Sequence, residues 1–394
     1  MFKKIALGIS GGVDSAVAAL LLKTKGYDVE GVFMKNWDIA DETGKCTADE
    51  DFKDASDLCE RLNIKLHRVN FVKQYWNEVF CDLIKEYEHG YTPNPDVLCN
   101  RRIKFNHFSK FAFEELEADA IATGHYAKTS FGNFLENYNA NQAVRLLRPK
   151  DLRKDQTFFL CQVRQEPLRR TMFPLGDLRK SEVKRIAAEN HLERYSQKPE
   201  SMGICFIGSR NFQHFIGEYI ESKPGKFIDI DSGKVVGTHD GLHQWTVGQR
   251  TRLQGVPDAY FVARKNVDEN IIYVALGTTH PALFSDLLRV SKPHWIHSRP
   301  EELERAEILR CDFKFQHTEG LVPCRICEIT DENLCVHLDQ AQRALTPGQY
   351  AVFYRNDECL GSGKILNPGA TNFSLHYMRN SESSEASNDL EASR

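Results

Sequence analysis

Residues 5–22 constrain this chain more than any other stretch. Ile5-Ala6-Leu7-Gly8-Ile9 is an apolar run of aliphatic and β-branched residues, the texture of a strand buried on both faces. It breaks into Ser10-Gly11-Gly12-Val13-Asp14-Ser15, and an apolar run from Ala16 to Leu22 follows at once as a predicted helix. Two adjacent glycines allow positive φ and a close backbone approach. The N–H groups of such a turn and of the helix N-terminus point outward and favour an anion. The hydroxyls of Ser10 and Ser15 add donors.

The pattern S-G-G-x-D-S resembles the pyrophosphate loop of ATP pyrophosphatases. Those enzymes cut ATP between its α and β phosphates and adenylate an oxygen, which makes it a leaving group. An ordinary strand-to-helix turn is the plainer alternative. The position directly after a strand and directly before a helix is the context the loop requires.

The first half of the chain alternates strand and helix signals. Val29 to Met34, Leu66 to Asn70 and Ala120 to Thr123 read as strands, and Asp49 to Leu62 has helical period. Alternation of this kind predicts an α/β fold, a doubly wound parallel sheet with helices on both faces. Ligands of such sheets bind at the carboxyl ends of the strands. Gly8 to Ser15, Met34 and Gly124-His125 fall at such ends and are expected to converge. Asp177 to Asn190 and Asn211 to Ile220 read as helices. Short β-rich segments follow from Gly225: Lys226 to Ile230, Trp245 to Val247 and Ile271 to Val274. From Leu287 to Leu366 the pattern is all-β and predicts a small barrel or sandwich. The Ser/Glu/Asn-rich end, Asn380 to Arg394, is expected to be disordered. With 394 residues there is room for two or three domains. The expected division is 1–210, 211–284 and 285–368, with a tail over 369–394.

Net charge is −4, so the whole chain does not advertise nucleic-acid binding. No apolar stretch approaches the roughly 20 residues of a membrane span. Arg145 to Arg185, however, holds twelve Lys or Arg against five Asp or Glu, enough to neutralise several phosphates or simply to solvate a helical face. Eleven cysteines at irregular spacings argue against a disulfide scaffold. No long Arg/Ser-rich leader precedes the first strand, so a targeting peptide is expected to be absent or very short.

Two cysteines keep unusual company. Cys99 ends Thr92-Pro93-Asn94-Pro95-Asp96-Val97-Leu98-Cys99, where two prolines fix an extended loop. Asp96 stands three residues before it, and Arg101, Arg102 and Lys104 follow, charges that would stabilise a thiolate. Cys205 lies in the apolar, glycine-flanked run Gly203-Ile204-Cys205-Phe206-Ile207-Gly208. A buried core thiol is the ordinary reading of either one taken alone. Cys324-x-x-Cys327 has no second pair to complete a zinc site, and in a strand its two side chains point to opposite faces; it reads as structural.

Taken together, several segments resemble the tRNA-specific 2-thiouridylases, ATP-dependent enzymes that place sulfur on C2 of the wobble uridine. They are SGGVDS, GVFMKNW (31–37), TPNPDVLCN (92–100), IKF (103–105), ATGHYA (122–127), KDQTFFL (154–160), SMGICFIG (201–208) and VGQR (247–250). The stretch from Asp357 to Leu366 is most similar to the animal mitochondrial branch. The resemblance implies that Gly8, Ile9, Ser10, Gly11, Gly12, Val13, Asp14, Ser15, Met34 and Gly124 bind ATP. It implies that Asn94, Pro95 and Asp96 meet the target base, and that His125, Lys154, Asp155, Gln156, Lys314, Phe315 and Gln349 touch tRNA. Cys99 and Cys205 would be the catalytic thiols, Cys205 carrying a persulfide and the two ending as a disulfide, with Asp96 moving protons. Bacterial members tend to have Arg-Tyr where this chain has Lys314-Phe315, and the loop after Arg250 departs from the usual glycine-rich form. The implied partners are ATP, Mg²⁺ with Asp14 as a candidate contact, a tRNA of the Lys, Glu or Gln type, and an upstream sulfur donor. The implied location is the mitochondrion, with the cytoplasm as the alternative. Three further readings stay open: an amide ligase with the same loop, of the argininosuccinate or GMP synthetase type; a thiolase using an iron–sulfur cluster; and a non-catalytic RNA-binding relic.

Overall fold

A computed structural model describes residues 2–37, 47–197, 212–251, 253, 259–318, 320–330 and 332–375. Cys205, most of the loop after Arg250 and the Ser/Glu/Asn-rich end lie outside the described residues.

The opening apolar run forms the strand Lys4–Gly8, and Val13–Thr24 is the helix behind it. Lys4–Gly8 lies at the centre of a five-stranded parallel sheet. Its order is Lys65–Asn70, Asp28–Lys35, Lys4–Gly8, Ala120–Ala122, Thr171–Met172. Each neighbour pair is parallel. The first three strands run outward on one side and the fourth returns to the other side of the first. That reversal opens a crevice between the carboxyl ends of Lys4–Gly8 and Ala120–Ala122, where Gly8 and Gly124 stand. The predicted helix over 49–62 is Thr47–Arg61, and the one over 177–190 is Lys180–Glu189. The latter starts where the Glu182 carboxylate accepts the Arg179 N–H at 2.7 Å.

A four-stranded sheet follows, in the order Tyr260–Asn266, Ile271–Leu276, Gly225–Asp229, Val235–His239. Trp245 to Val247 is not one of its strands. It follows the short 3₁₀ turn Leu242–Gln244 and precedes Gly248, whose φ of +85° cannot continue an extended run. Trp245 and Val247 still pack on the Phe227 cluster, so their apolar character reflects burial rather than strand pairing.

The C-terminal region is a closed six-stranded antiparallel barrel. Phe284–Ser291, Asn333–Arg343, Val322–Thr330, Leu309–Lys314, Tyr350–Arg355 and Glu358–Pro368 pair in turn. The last strand pairs back to the first and removes the free edge. Glu358–Pro368 also pairs with Leu146–Leu147 of the first domain, which pairs with Lys128–Thr129. The cores are joined as well: Tyr350, Val352, Tyr354 and Cys359 of the barrel are buried in the same cluster as the central strand of the parallel sheet.

Candidate active site

The glycine turn is shaped as its sequence demands. Gly11 has φ +73°, and a Cβ there would stand 2.6 Å from the Asp51 carbonyl oxygen. Gly12 caps the helix Val13–Thr24, whose first N–H groups have no intrahelical acceptor. Ser15 Oγ donates to the Gly12 carbonyl at 3.0 Å and accepts the Ser10 N–H at 3.3 Å. The Ser15 hydroxyl therefore braces the turn, while Ser10 is exposed at its rim. Ile9 and Val13 are buried beneath it. Gly124 closes the crevice from the other side: a Cβ there would lie 2.9 Å from the Ser15 nitrogen and 3.0 Å from the Asp14 carbonyl carbon. Met34 reaches over from the next strand, its Cε 3.3 Å from where Gly8 would carry a Cβ. The ten residues expected at the nucleotide thus surround one concave turn rich in backbone donors, which fits an anionic phosphate chain.

Asp14 is held by two neighbours. Its carboxylate takes the Lys180 ammonium on both oxygens, at 2.8 and 2.7 Å, and the Tyr126 hydroxyl at 2.9 Å. Among the described residues no three His, Cys, Asp or Glu side chains gather to hold a metal. Lys180 and Tyr126 belong to this end of the site and were not singled out in the sequence. Lys180 is 166 residues from Asp14 and sat within the basic run. Its charge and that of Arg185 are met by acids outside the run, Asp14 and Glu189, whereas Arg148 on Asp155 and Lys150 on Glu182 pair within it. The net positive count of that run therefore overstates what it presents to a polyanion.

The second end of the site begins at the double-proline loop. Asn94 caps the short helix Pro95–Cys99 by accepting the Val97 N–H at 3.3 Å. The chain then widens into π-helical geometry over Asn100–Phe108, a local feature frequent at functional sites. Cys99 is buried, one helical turn from Asp96. Burial raises the Asp96 carboxyl above its usual value, and the Lys104 charge opposes the rise. Lys104 also meets His125, Nζ to Nε2 at 3.5 Å. An ammonium can only donate, so Nε2 accepts and Nδ1–H donates to Thr123 Oγ1 at 2.8 Å. Burial, reinforced by Lys104, holds the His125 imidazole well below its usual range. It is neutral, a fixed acceptor in the wall.

Several residues expected at a tRNA surface lie deeper than that. Asp155 is 1% exposed. It accepts from Arg148 Nε at 2.8 Å and from the Thr157 N–H at 3.0 Å and hydroxyl at 2.5 Å. Gln156 Oε1 accepts the Tyr126 N–H at 2.8 Å and so holds the segment after Gly124. His125 and Lys314 are buried, and Phe315 packs in the barrel core against Phe313. As folded, Asp155, His125, Lys314 and Phe315 shape walls rather than open surface. Lys154 is half-buried at the seam. Gln349 faces the double-proline loop: its Nε2 donates to the Thr92 carbonyl at 2.8 Å.

The Cys324-x-x-Cys327 pair points to opposite faces, as strand alternation requires. Cys324 is buried, with its sulfur 3.6 Å from that of Cys311, and the exposed Cys327 pairs across strands with Cys335.

Comparisons with known proteins extend over the whole fold. Residues 3–209 match a family described as "tRNA methyl transferase HUP domain". Residues 213–276 match "tRNA methyl transferase PRC-barrel domain", and 285–365 match "Aminomethyltransferase beta-barrel domain". "Mitochondrial tRNA-specific 2-thiouridylase 1" of Gallus gallus is 50% identical, over 99% of this chain and 97% of that protein. The Homo sapiens protein of the same name is 50% identical, over 95% and 92%. "tRNA-specific 2-thiouridylase MnmA" of Vibrio parahaemolyticus is 45% identical, over 92% and 96%. The similarity covers nearly the full length of both proteins in each case: this chain belongs to the tRNA-specific 2-thiouridylase family.

Proposed function

We propose that the chain is an ATP-dependent sulfurtransferase that converts the C2 oxygen of the wobble uridine of tRNA to sulfur. The observation that carries this reading is the placement of a pyrophosphate-loop crevice and the Asp96–Cys99 helix at one end of the parallel sheet, bridged by Gly124, His125 and Lys104. An amide ligase has no use for the second half of that arrangement.

ATP is the activating substrate; it places AMP on the C2 oxygen and makes it a leaving group. The turn from Gly8 to Ser15, with Met34 and Gly124, supplies the backbone donors and the shaped floor for it. Mg²⁺ comes with the phosphates, and Asp14, beside them in the loop, is its candidate contact. Asn94, Pro95 and Asp96 face the base. Asp96, with its pKa raised, carries a proton nearer neutrality than an exposed carboxylate. Cys205 brings the sulfur as a persulfide. The terminal sulfur attacks C2 and AMP leaves. The Cys99 thiolate then attacks the inner sulfur, giving thiouridine and a Cys99–Cys205 disulfide that an external thiol reduces. Lys154, Gln156 and Gln349 lie along the seam where tRNA is engaged. The substrate is a tRNA of the Lys, Glu or Gln type, and an upstream persulfide-generating protein supplies the sulfur. The mitochondrion is the proposed location, and 1–210, 211–284 and 285–368 the proposed domains, with a tail over 369–394.

The test is thiolation of an unmodified tRNA by the purified full chain with Mg-ATP, a cysteine desulfurase with cysteine as the persulfide source and a thiol reductant, read by nucleoside mass spectrometry. One oxygen replaced by sulfur, with AMP and pyrophosphate released, is the expected result. Cys205→Ser should abolish thiolation and keep adenylation. AMP release only with an amine acceptor would overturn the reading in favour of the ligase.

A further inference from the structure

The loop that leads to Asp96 and Cys99 cannot hold its own shape. Pro93 and Pro95 have no N–H to donate, and Thr92 and Pro93 leave backbone carbonyls to be satisfied from elsewhere. The partners come from the barrel, in the turn before Tyr350–Arg355. The Thr92 N–H donates to the Pro347 carbonyl at 2.9 Å. Gly348 has φ +94°, and a Cβ there would stand 2.8 Å from the Thr92 nitrogen. The two segments therefore touch backbone to backbone.

Gln349 uses both ends of its amide on this loop. Nε2 donates to the Thr92 carbonyl at 2.8 Å and to the Pro93 carbonyl at 3.4 Å. Oε1 accepts from Asn94 Nδ2 at 3.3 Å. Asn94 is the residue whose Oδ1 caps the helix Pro95–Cys99. Flipping the Asn94 amide would set its NH₂ against the Val97 N–H, donor against donor, and its oxygen against Gln349 Oε1, acceptor against acceptor. The Gln349 acceptor therefore selects the one Asn94 orientation that caps the helix. Glutamate at 349 would oppose a carboxylate to the Thr92 and Pro93 carbonyls. Asparagine would fall a methylene short.

We propose that Gln349 is a positioning residue: by fixing the Asn94 orientation it sets where the Pro95–Cys99 helix holds Asp96 and Cys99. Its consequence for turnover rests on the function proposed above; its consequence for Cys99 does not. The barrel thus governs the geometry of a loop in another domain, besides whatever it offers to RNA.

The test uses the full chain and two variants that remove the acceptor, Gln349→Met and Gln349→Leu, without ATP or tRNA. Alkylation of Cys99 by iodoacetamide is followed by peptide mass spectrometry, with buried Cys161 as the internal reference. Both variants should label Cys99 about fivefold faster, the population change expected from losing one helix cap, and Cys161 no faster. With tRNA, kcat should fall in both variants, whatever KM does for a residue that also lies along the tRNA seam, the signature of an interaction felt at the reacting groups and not in binding alone. Wild-type labelling of Cys99 in both variants, or a rise in KM alone, would overturn the proposal. A wild-type chain that fails to thiolate tRNA would count against the functional reading and leave the alkylation contrast to decide the positioning role.

Discussion

The two ends of the candidate site are built in opposite ways. The nucleotide end is built round eight consecutive residues, with Gly124 and Lys180 closing on them: Gly11 makes the turn, Ser15 braces it, and the helix dipole adds to it. The base end is assembled at a seam. Its loop is held by Pro347, Gly348 and Gln349 of the barrel. On the other side Lys265 of the central sheet reaches the Gly90 carbonyl at 3.0 Å. A motif that closes locally can be carried from one fold to another. A loop that depends on two distant domains cannot, and its chemistry is tied to the whole chain.

Cutting the seam should have the largest effect. Asp155→Ala removes a buried carboxylate, strands Arg148 and leaves the Thr157 hydroxyl only Tyr354 of the barrel. A stability loss of about 3 kcal/mol is expected, the scale of breaking a buried pair, read by urea unfolding of the full chain. A loss below about 1 kcal/mol, the range of an exposed pair, would mean the seam is not held there. The nucleotide end is challenged by Gly124→Ala, which forces a methyl against the Ser15 and Asp14 backbone. Overpacking costs of about 1–3 kcal/mol predict ATP binding weakened by roughly ten- to a hundredfold in calorimetry, with little change in Cys99 alkylation. If Cys99 labelling changes as well, the two ends are not separable. Lys180→Met should act more mildly, since Asp14 keeps the Tyr126 hydroxyl. A several-fold loss in ATP affinity is expected, and none would remove Lys180 from the site.

The smallest effect is a pH slope at the central sheet. Burial pushes the Lys265 ammonium down to about 7, below the usual lysine value near 10.4. Between those two values the unfolded chain binds a proton that the folded chain does not, so stability should rise with pH across that window. Lys265→Met should remove this contribution. Unfolding at pH 7, 8 and 9 checks it, and identical slopes in both proteins would show Lys265 to be solvated.

What was legible in the sequence follows the same division. The turn, the parallel sheet and the convergence of Gly8, Met34 and Gly124 could be read because strand period and glycine chemistry act over a few residues. Lys180 on Asp14 could not, because nothing local distinguishes it from the other cations of its run. The depth of Asp155, Lys314 and Phe315 was equally hidden: each belongs to a motif whose residue types suit either a surface or a wall. Trp245 to Val247 carried the apolar character of a strand but not its pairing. The alternation that separates Cys324 from Cys327 was readable, whereas their partners Cys311 and Cys335 depend on strand register.

The pairing of Leu146–Leu147 with Glu358–Cys359 also sets a schedule. Roughly two hundred residues separate these partners, and at about 5–20 residues per second a ribosome needs some 10–40 s to make them. Throughout that interval the nascent first domain carries a strand with one edge unpaired and an uncovered apolar wall. The chain therefore finishes its first domain last, and the hazard during its synthesis lies in waiting for its own end.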